Sequence, residues 1–320
     1  KGPYSATSVV VLAASGIENA RLLLSSPGRS SGAVGNEHDL VGRFFADHYL
    51  ANVGELWLTD ESVNLRFFQH HVAPQGRVKG YLRPTPAVQR EHELGETQFS
   101  LDPVYDPFYY DAARSEGAES LQQILSDARE GRLPDEFGTH LLNVLRDLDD
   151  VAISTYRKLA YEDFPIDHYR IEMGVDPVPN RESRVRLGDE VDAVGMRKVV
   201  LDWRIDESDK KTFLIARRLF AEEIGRLGIG RVKLDDNENQ PWPHLEKGAA
   251  QTGFHQLGTT RMSEDPKQGV VDTDCRVHGM RNLFVAGSSV FPSYEGQPTL
   301  MIVAFALRLS EHLKRLLKEA

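Results

Sequence analysis

The sequence predicts a mixed α/β (α+β) fold in which both ends of the chain belong to one parallel-sheet body and the middle forms an antiparallel sheet flanked by helices. Three observations carry this. Residues 8–14, SVVVLAA, form a continuous apolar run of strand length and lead directly into a helical pattern. Between about residues 46 and 250, short segments alternate apolar and polar side chains and are interrupted by amphipathic helices. After residue 250 a short strand, a Gly-Ser-Ser turn and the longest helical pattern of the chain follow one another.

Each element has its own reason. A Val-rich run such as 8–14 suits a strand buried on both faces. Ser15 and Gly16 make the turn, and IENARLLLSS then places Ile17, Ala20, Leu23 and Leu24 on one helical face. Strand, tight turn and helix together are a βα unit of the kind found in nucleotide-binding sheets. In the middle, NVGELWL (52–58), VKGYLRP (78–84), HYRIEMGV (168–175), SRVRLGD (183–189) and RKVVLDWRI (197–205) read as antiparallel strands with one covered face. Helical spacing marks residues 118–131, 137–163 and 207–228, while the Pro-, Asp- and Tyr-rich 102–111 reads as a loop. Residues 282–292, NLFVAGSSVFP, are a strand entering a turn. The final helix opens on Pro298, which a helix tolerates in its first turn, and ends among basic residues that suit its dipole.

Composition narrows the function classes. A net charge of −10 argues against nucleic acid or an anionic membrane as the main partner. Cys275 is the sole cysteine, so no intramolecular disulfide or Cys-based metal cluster can form. No run reaches the roughly 18 apolar residues of a transmembrane segment, and residues 1–16 lack a signal-peptide pattern. A soluble, cytoplasmic protein is expected.

One constellation is specific. HQLGTTRM (255–262), GVVDTDCRVHGMRNLFVAGSSVFP (269–292) and PTLMIVAFALRLSEHL (298–313) occur in that order, preceded by VVVLAASGIENARLLL (9–24) and PNRESRVRLGDEVDAVGMRKVVLDWRI (179–205). This set resembles the C-terminal portion of the glucose–methanol–choline (GMC) FAD-dependent oxidoreductases. The pairing of GIENARLLL with HxxGTTRM is most similar to the sugar-oxidising branch, that of pyranose oxidases and sugar dehydrogenases.

The resemblance implies a late βα unit of a Rossmann-like FAD-binding domain at residues 1–45, a substrate-binding domain at 46–250, and a return to the FAD-binding domain at 251–320. It implies oxidation of a CH–OH group by hydride transfer to the flavin N5, while a base removes the hydroxyl proton. His255 holds the position of that base, and histidine suits the task because its ordinary pKa lies near neutrality. Gln297 stands where the family has a His or Asn that helps hold the substrate oxygen; an amide can still donate and accept. Pro298 and the backbone of Thr299 and Leu300, at a helix N-terminus, are expected at the flavin pyrimidine edge. Ala286, Gly287 and Ser288 are expected along the ribityl and phosphate region, and Ala14 and Ser15 near the adenine.

Lesser expectations are a supporting Arg261–Asp272 ion pair, a structural turn at Asp47-His48 and a surface position for His70-His71. The aromatic run YDPFYYD (105–111) is expected either to pack or to line a sugar site.

The family's GxGxxG turn is absent from the 320 residues. The chain is therefore expected to be completed by a separate N-terminal FAD-binding polypeptide and to act on a small-molecule sugar or polyol. The alternatives are a non-catalytic binding module without flavin, and a sterol or aromatic-alcohol oxidase of the same family.

Overall fold

The computed structural model describes residues 9–28, 32–60, 62–74, 76–160, 163–235, 250–293 and 298–319. The chain opens with β1 (Val10–Leu12) and α1 (Glu18–Ser25). It continues through β2 (Tyr49–Leu58), the hairpin β3 (His71–Ala73) and β4 (Gly76–Val78), α2 (Pro86–His92) and β5 (Thr97–Tyr105). Four helices follow, α3 (Pro107–Ala112), α4 (Glu116–Arg129), α5 (Phe137–Arg146) and α6 (Leu148–Ala160). Then come β6 (Ile166–Val175), the hairpin β7 (Arg184–Val191) and β8 (Arg197–Asp202), α7 (Glu207–Arg226) and β9 (Gly230–Leu234). Finally β10 (Ala250–Thr252), β11 (Leu283–Val285) and α8 (Thr299–Glu319) close the order.

Two apolar cores organise these elements. The first gathers α1, β1, β11, the 34–46 loop, Val185 of β7 and Leu309 of α8 around Val270, Val271, Val277 and Phe284, all fully buried. Here β1 pairs in parallel with β11, Val10 opposite Leu283 and Leu12 opposite Val285. The second core lies under an antiparallel sheet of order β10-β2-β6-β5, with β9 also on β2. Alternation puts Tyr49, Ala51, Tyr169, Ile171, Met173, Phe99 and Leu101 on one face, where Phe213 and Ala216 of α7 cover them. Helix α7 begins with a capping box, Asp206 and Asp209 each accepting the other's backbone N–H.

Where pattern and structure differ, a local contact explains it. Strand β1 is shorter than the 8–14 run and is not covered on both faces: Val11 is 39 % exposed, and β11 is the one strand paired with β1 among the described residues. Residues 102–111 are not a loop. Strand β5 runs to Tyr105, then Asp106 accepts the Phe108 N–H and Pro107 starts α3. The single helix expected at 137–163 breaks at Asp147, whose carboxylate leaves the helical path to accept the Gly117 N–H at 2.7 Å. Residues 79–84 hold no strand beyond an isolated bridge of Leu82 to Phe99.

Candidate active site

At the C-terminal ends of β1 and β11, where an α/β sheet presents its crevice, a cavity of about 410 Å³ opens. Six of the ten residues singled out from the sequence line it: Ser15, His255, Ala286, Gly287, Ser288 and Pro298. Ala14, Thr299 and Leu300 do not. The Ala14 N–H is taken by the Asn19 side chain at 2.9 Å, and helix α8 faces the cavity with the Pro298, Ile302 and Ala306 stripe while Leu300 is 78 % exposed. Gln297 lies outside the described residues. Left-handed backbone concentrates here, at Ser15 (φ 101°), Phe254 (φ 55°) and Gly287 (φ 102°). A Cβ on Gly287 would meet nothing within 4 Å, so the cradle is open at that turn. Strain of this kind persists where the surroundings over-determine it.

The HQLGTTRM segment earns its composition by stapling the cavity walls together. The Thr259 hydroxyl donates to the Gly16 carbonyl of the first βα turn. Thr260 bonds Ser289 twice, backbone N–H to carbonyl at 2.9 Å and hydroxyl to hydroxyl at 2.8 Å. Ser288 donates to the Gln256 carbonyl at 2.6 Å. Behind them sits Asn19, fully buried, a residue the sequence pattern did not mark. It accepts from Ala14 N–H and donates to the Ala286 carbonyl at 3.1 Å and to the Ser289 hydroxyl at 2.9 Å. A lone Asn on the apolar face of GIENARLLL was the available signal. Replacing Asn19 with Ala strands the Ala14 and Ala286 backbone groups. It is expected to cost about 2–4 kcal/mol in chemical denaturation.

His255 leaves β10 on the fifth residue of QTGFH, its backbone N–H held by the Asp47 carboxylate at 3.0 Å. Its ring lies against His48, Nδ1 to His48 Nε2 at 2.7 Å, with ring planes 67° apart. His48 Nδ1 in turn meets Asp176 Oδ1 at 3.0 Å. His48 and Asp47 are each 1 % exposed, so the turn expected at 47–48 is here a buried polar support for His255. Burial, then the adjacent His48 ring, push the His255 pKa below its ordinary 6.5, against the opposing pull of Asp47 and Asp176. Burial pushes the Asp47 carboxyl up, opposed first by its bond from the His255 backbone.

The expected Arg261–Asp272 pair does not form. Asp272 pairs with Arg276 at 3.0 Å, four residues on in the same turn, whereas the Arg261 guanidinium stacks over the Phe44 ring at 4.1 Å. Burial lowers the Arg261 pKa. His70 and His71 are on the surface as expected. Tyr105 and Tyr110 stack on each other and pack around Phe164. No group of three or more metal-ligating side chains occurs among the described residues, and no described helix is long and apolar enough to cross a membrane.

Residues 179–306 match the family model described as GMC oxidoreductase. The paromamine 6'-oxidase of Streptomyces fradiae is 35% identical over 144 residues, 43% of this chain and 24% of that protein. The 2-methyl-1,2-propanediol dehydrogenase of Mycolicibacterium austroafricanum is 26% identical over 319 residues, 96% of this chain and 48% of that protein; C-glycoside 3-oxidases are among the further matches. The chain thus spans a quarter to a half of the length of these relatives. An FAD-dependent oxidoreductase from Chaetomium thermophilum shares the fold, with a TM-score of 0.52 at 14% identity over 98% of this chain and 56% of that one. The match at 179–306 ends inside α8, in the wall of the cavity that holds His255, and the chain accordingly carries a GMC oxidoreductase family domain.

Proposed function

We propose that this chain is part of an FAD-dependent oxidoreductase that oxidises a CH–OH group of a sugar, glycoside or polyol, with His255 as the base. The observation that carries the reading is the placement of His255 in the wall of a cavity at the strand ends, its ring buttressed from behind by His48 and Asp176. A ring held below its ordinary pKa is neutral at pH 7 and able to accept a hydroxyl proton.

The lining fits a flavin. Small residues and backbone turns make up much of its wall, Gly287 leaves open space where any other residue would put a side chain, and α8 faces it with Pro298, Ile302 and Ala306. Ser15, Ala286, Gly287, Ser288 and Pro298 would hold the cofactor, with Ala14 and the Thr299 and Leu300 backbone beside them. When bound, FAD supplies the hydride acceptor. The chain's own part is to position the substrate hydroxyl on His255, to take up its proton there and to keep the ring oriented. Gln297 is proposed as the second substrate contact.

The same reading divides the chain at residues 46 and 251; most of the middle segment builds the second apolar core, while Val185 of β7 joins the first. It also includes a complementary FAD-binding polypeptide carrying a glycine-rich phosphate turn. The uncovered Val11 of β1 and Leu300, Val303 and Leu307 of α8, each at least 39 % exposed, offer apolar surface for such a neighbour.

The test is an absorption spectrum with an intact-mass measurement, followed by anaerobic addition of sugars and polyols. A flavin band near about 450 nm that bleaches on adding one of them is expected. Folded, colourless protein that takes up no added FAD would overturn the reading.

A further inference from the structure

The proposed chemistry needs His255 to present a bare ring nitrogen to the substrate, and neutral imidazole has only one. Which nitrogen it is depends on what the other is bonded to. Here Nδ1 is committed to His48 Nε2 at 2.7 Å, so the protonation state of His48 decides the matter.

Asp176 fixes that Nδ1 of His48 carries a proton. An ionised carboxylate can only accept, so the 3.0 Å contact requires a proton on His48 Nδ1. With His48 neutral its Nε2 is bare, and the 2.7 Å bond is then donated by His255 Nδ1–H. That leaves the lone pair of His255 on Nε2. The rival arrangement is an imidazolium at His48 that donates to both neighbours; it would put the His255 proton on Nε2 and remove the base. The ring of His48 is 1 % exposed and the Asp176 side chain 9 % exposed, so neither group can exchange its partner for water without the segments around it parting. Among the described residues Asp47 also stands at the pair, and its carboxylate accepts the His255 backbone N–H.

Packing holds His48 in that line. A Cβ built on Gly253 would stand 2.0 Å from His48 Cδ2, so the β10 exit runs directly against the ring and needs a glycine there. The Gly253 N–H also donates to the His48 carbonyl at 3.2 Å.

We infer that Asp176 and His48 are positioning residues that fix His255 in the Nδ1–H tautomer, with its lone pair on Nε2. This rests on the reading of His255 as the base, but its test does not require turnover, so the two can fail separately.

The test is long-range ¹H–¹⁵N correlation NMR of the imidazole rings in the folded protein, with His255 assigned by its loss in His255→Gln. The native protein is expected to show His255 protonated at Nδ1 and bare at Nε2. His48→Phe removes the acceptor and is expected to abolish the Nδ1–H pattern, whereas His48→Gln, whose amide oxygen can accept, is expected to keep it. Should His48→Phe not fold, Gly253→Ala displaces the ring instead and is expected to weaken the same pattern. A native His255 protonated at Nε2, or a pattern indifferent to both His48→Phe and Gly253→Ala, overturns the inference.

Discussion

His255→Ala is expected to lower the rate of substrate-driven flavin reduction by about 10²–10⁴, the range typical for loss of a general base. The size follows from the geometry. The ring stands in the cavity wall with its backbone tied to Asp47 and its Nδ1 to His48, so no other imidazole can take its place without the loop moving. The pH dependence has a definite sign. Burial and the His48 ring hold His255 below 6.5, so the acidic limb of kcat/KM is expected below that value. Stability moves the same way. As pH falls through 6.5 the unfolded chain takes up this proton before the folded one does, so the group's contribution is intact above 6.5 and is lost on acidification. Stopped-flow flavin reduction across pH measures the rate. An Ala variant that bleaches as fast as the native enzyme would remove His255 from the mechanism.

Gly258→Ala is expected to destabilise the fold by about 3 kcal/mol or more, from left-handed backbone strain and steric overlap together. Gly258 sits at φ +85°, and a Cβ there would meet the Phe44 carbonyl oxygen at 2.2 Å. Phe44 is itself left-handed, at φ 58°, so the carbonyl cannot easily rotate aside. The clash falls beside the Ala46–Leu257 bridge, whose N–H groups and carbonyls are paired both ways, and any shift passes to Asp47, His48 and His255. Chemical denaturation gives the magnitude. Gly225→Ala is the control, since that α7 glycine has open space and no left-handed φ; it is expected to be neutral or stabilising by about 0.5–1 kcal/mol. Equal effects from the two substitutions would show that the close approach to Phe44 carries no strain.

What could be read in the sequence divides along physical lines. The Val-rich run beside GIENARLLL, the alternation of HYRIEMGV, the period of 207–228 and the Pro298 helix start are local patterns. They foretold β1 and α1, β6, α7 and α8, because each is decided by which face of a short segment must leave water. Side chains that leave the local path misled the pattern. Asp147 cuts one expected helix into α5 and α6 to reach Gly117, and Asp106 turns an expected loop into α3.

The candidate site divides in the same manner. Its His could be singled out because HQLGTTRM resembles the motif of the GMC family. The partners of these residues could not. Asp176 is 128 positions from His48, and His48 is 207 from His255. Asn19 reaches 270 positions to Ser289. Such bonds leave no period or spacing in a sequence, because either partner alone reads as an ordinary polar residue. The sequence, with the family resemblance it carries, pointed to most of the elements, to several cavity-lining residues and to the candidate base. Only the tertiary structure decided what stands behind that base, because a buried hydrogen bond is specified by where two distant backbones meet.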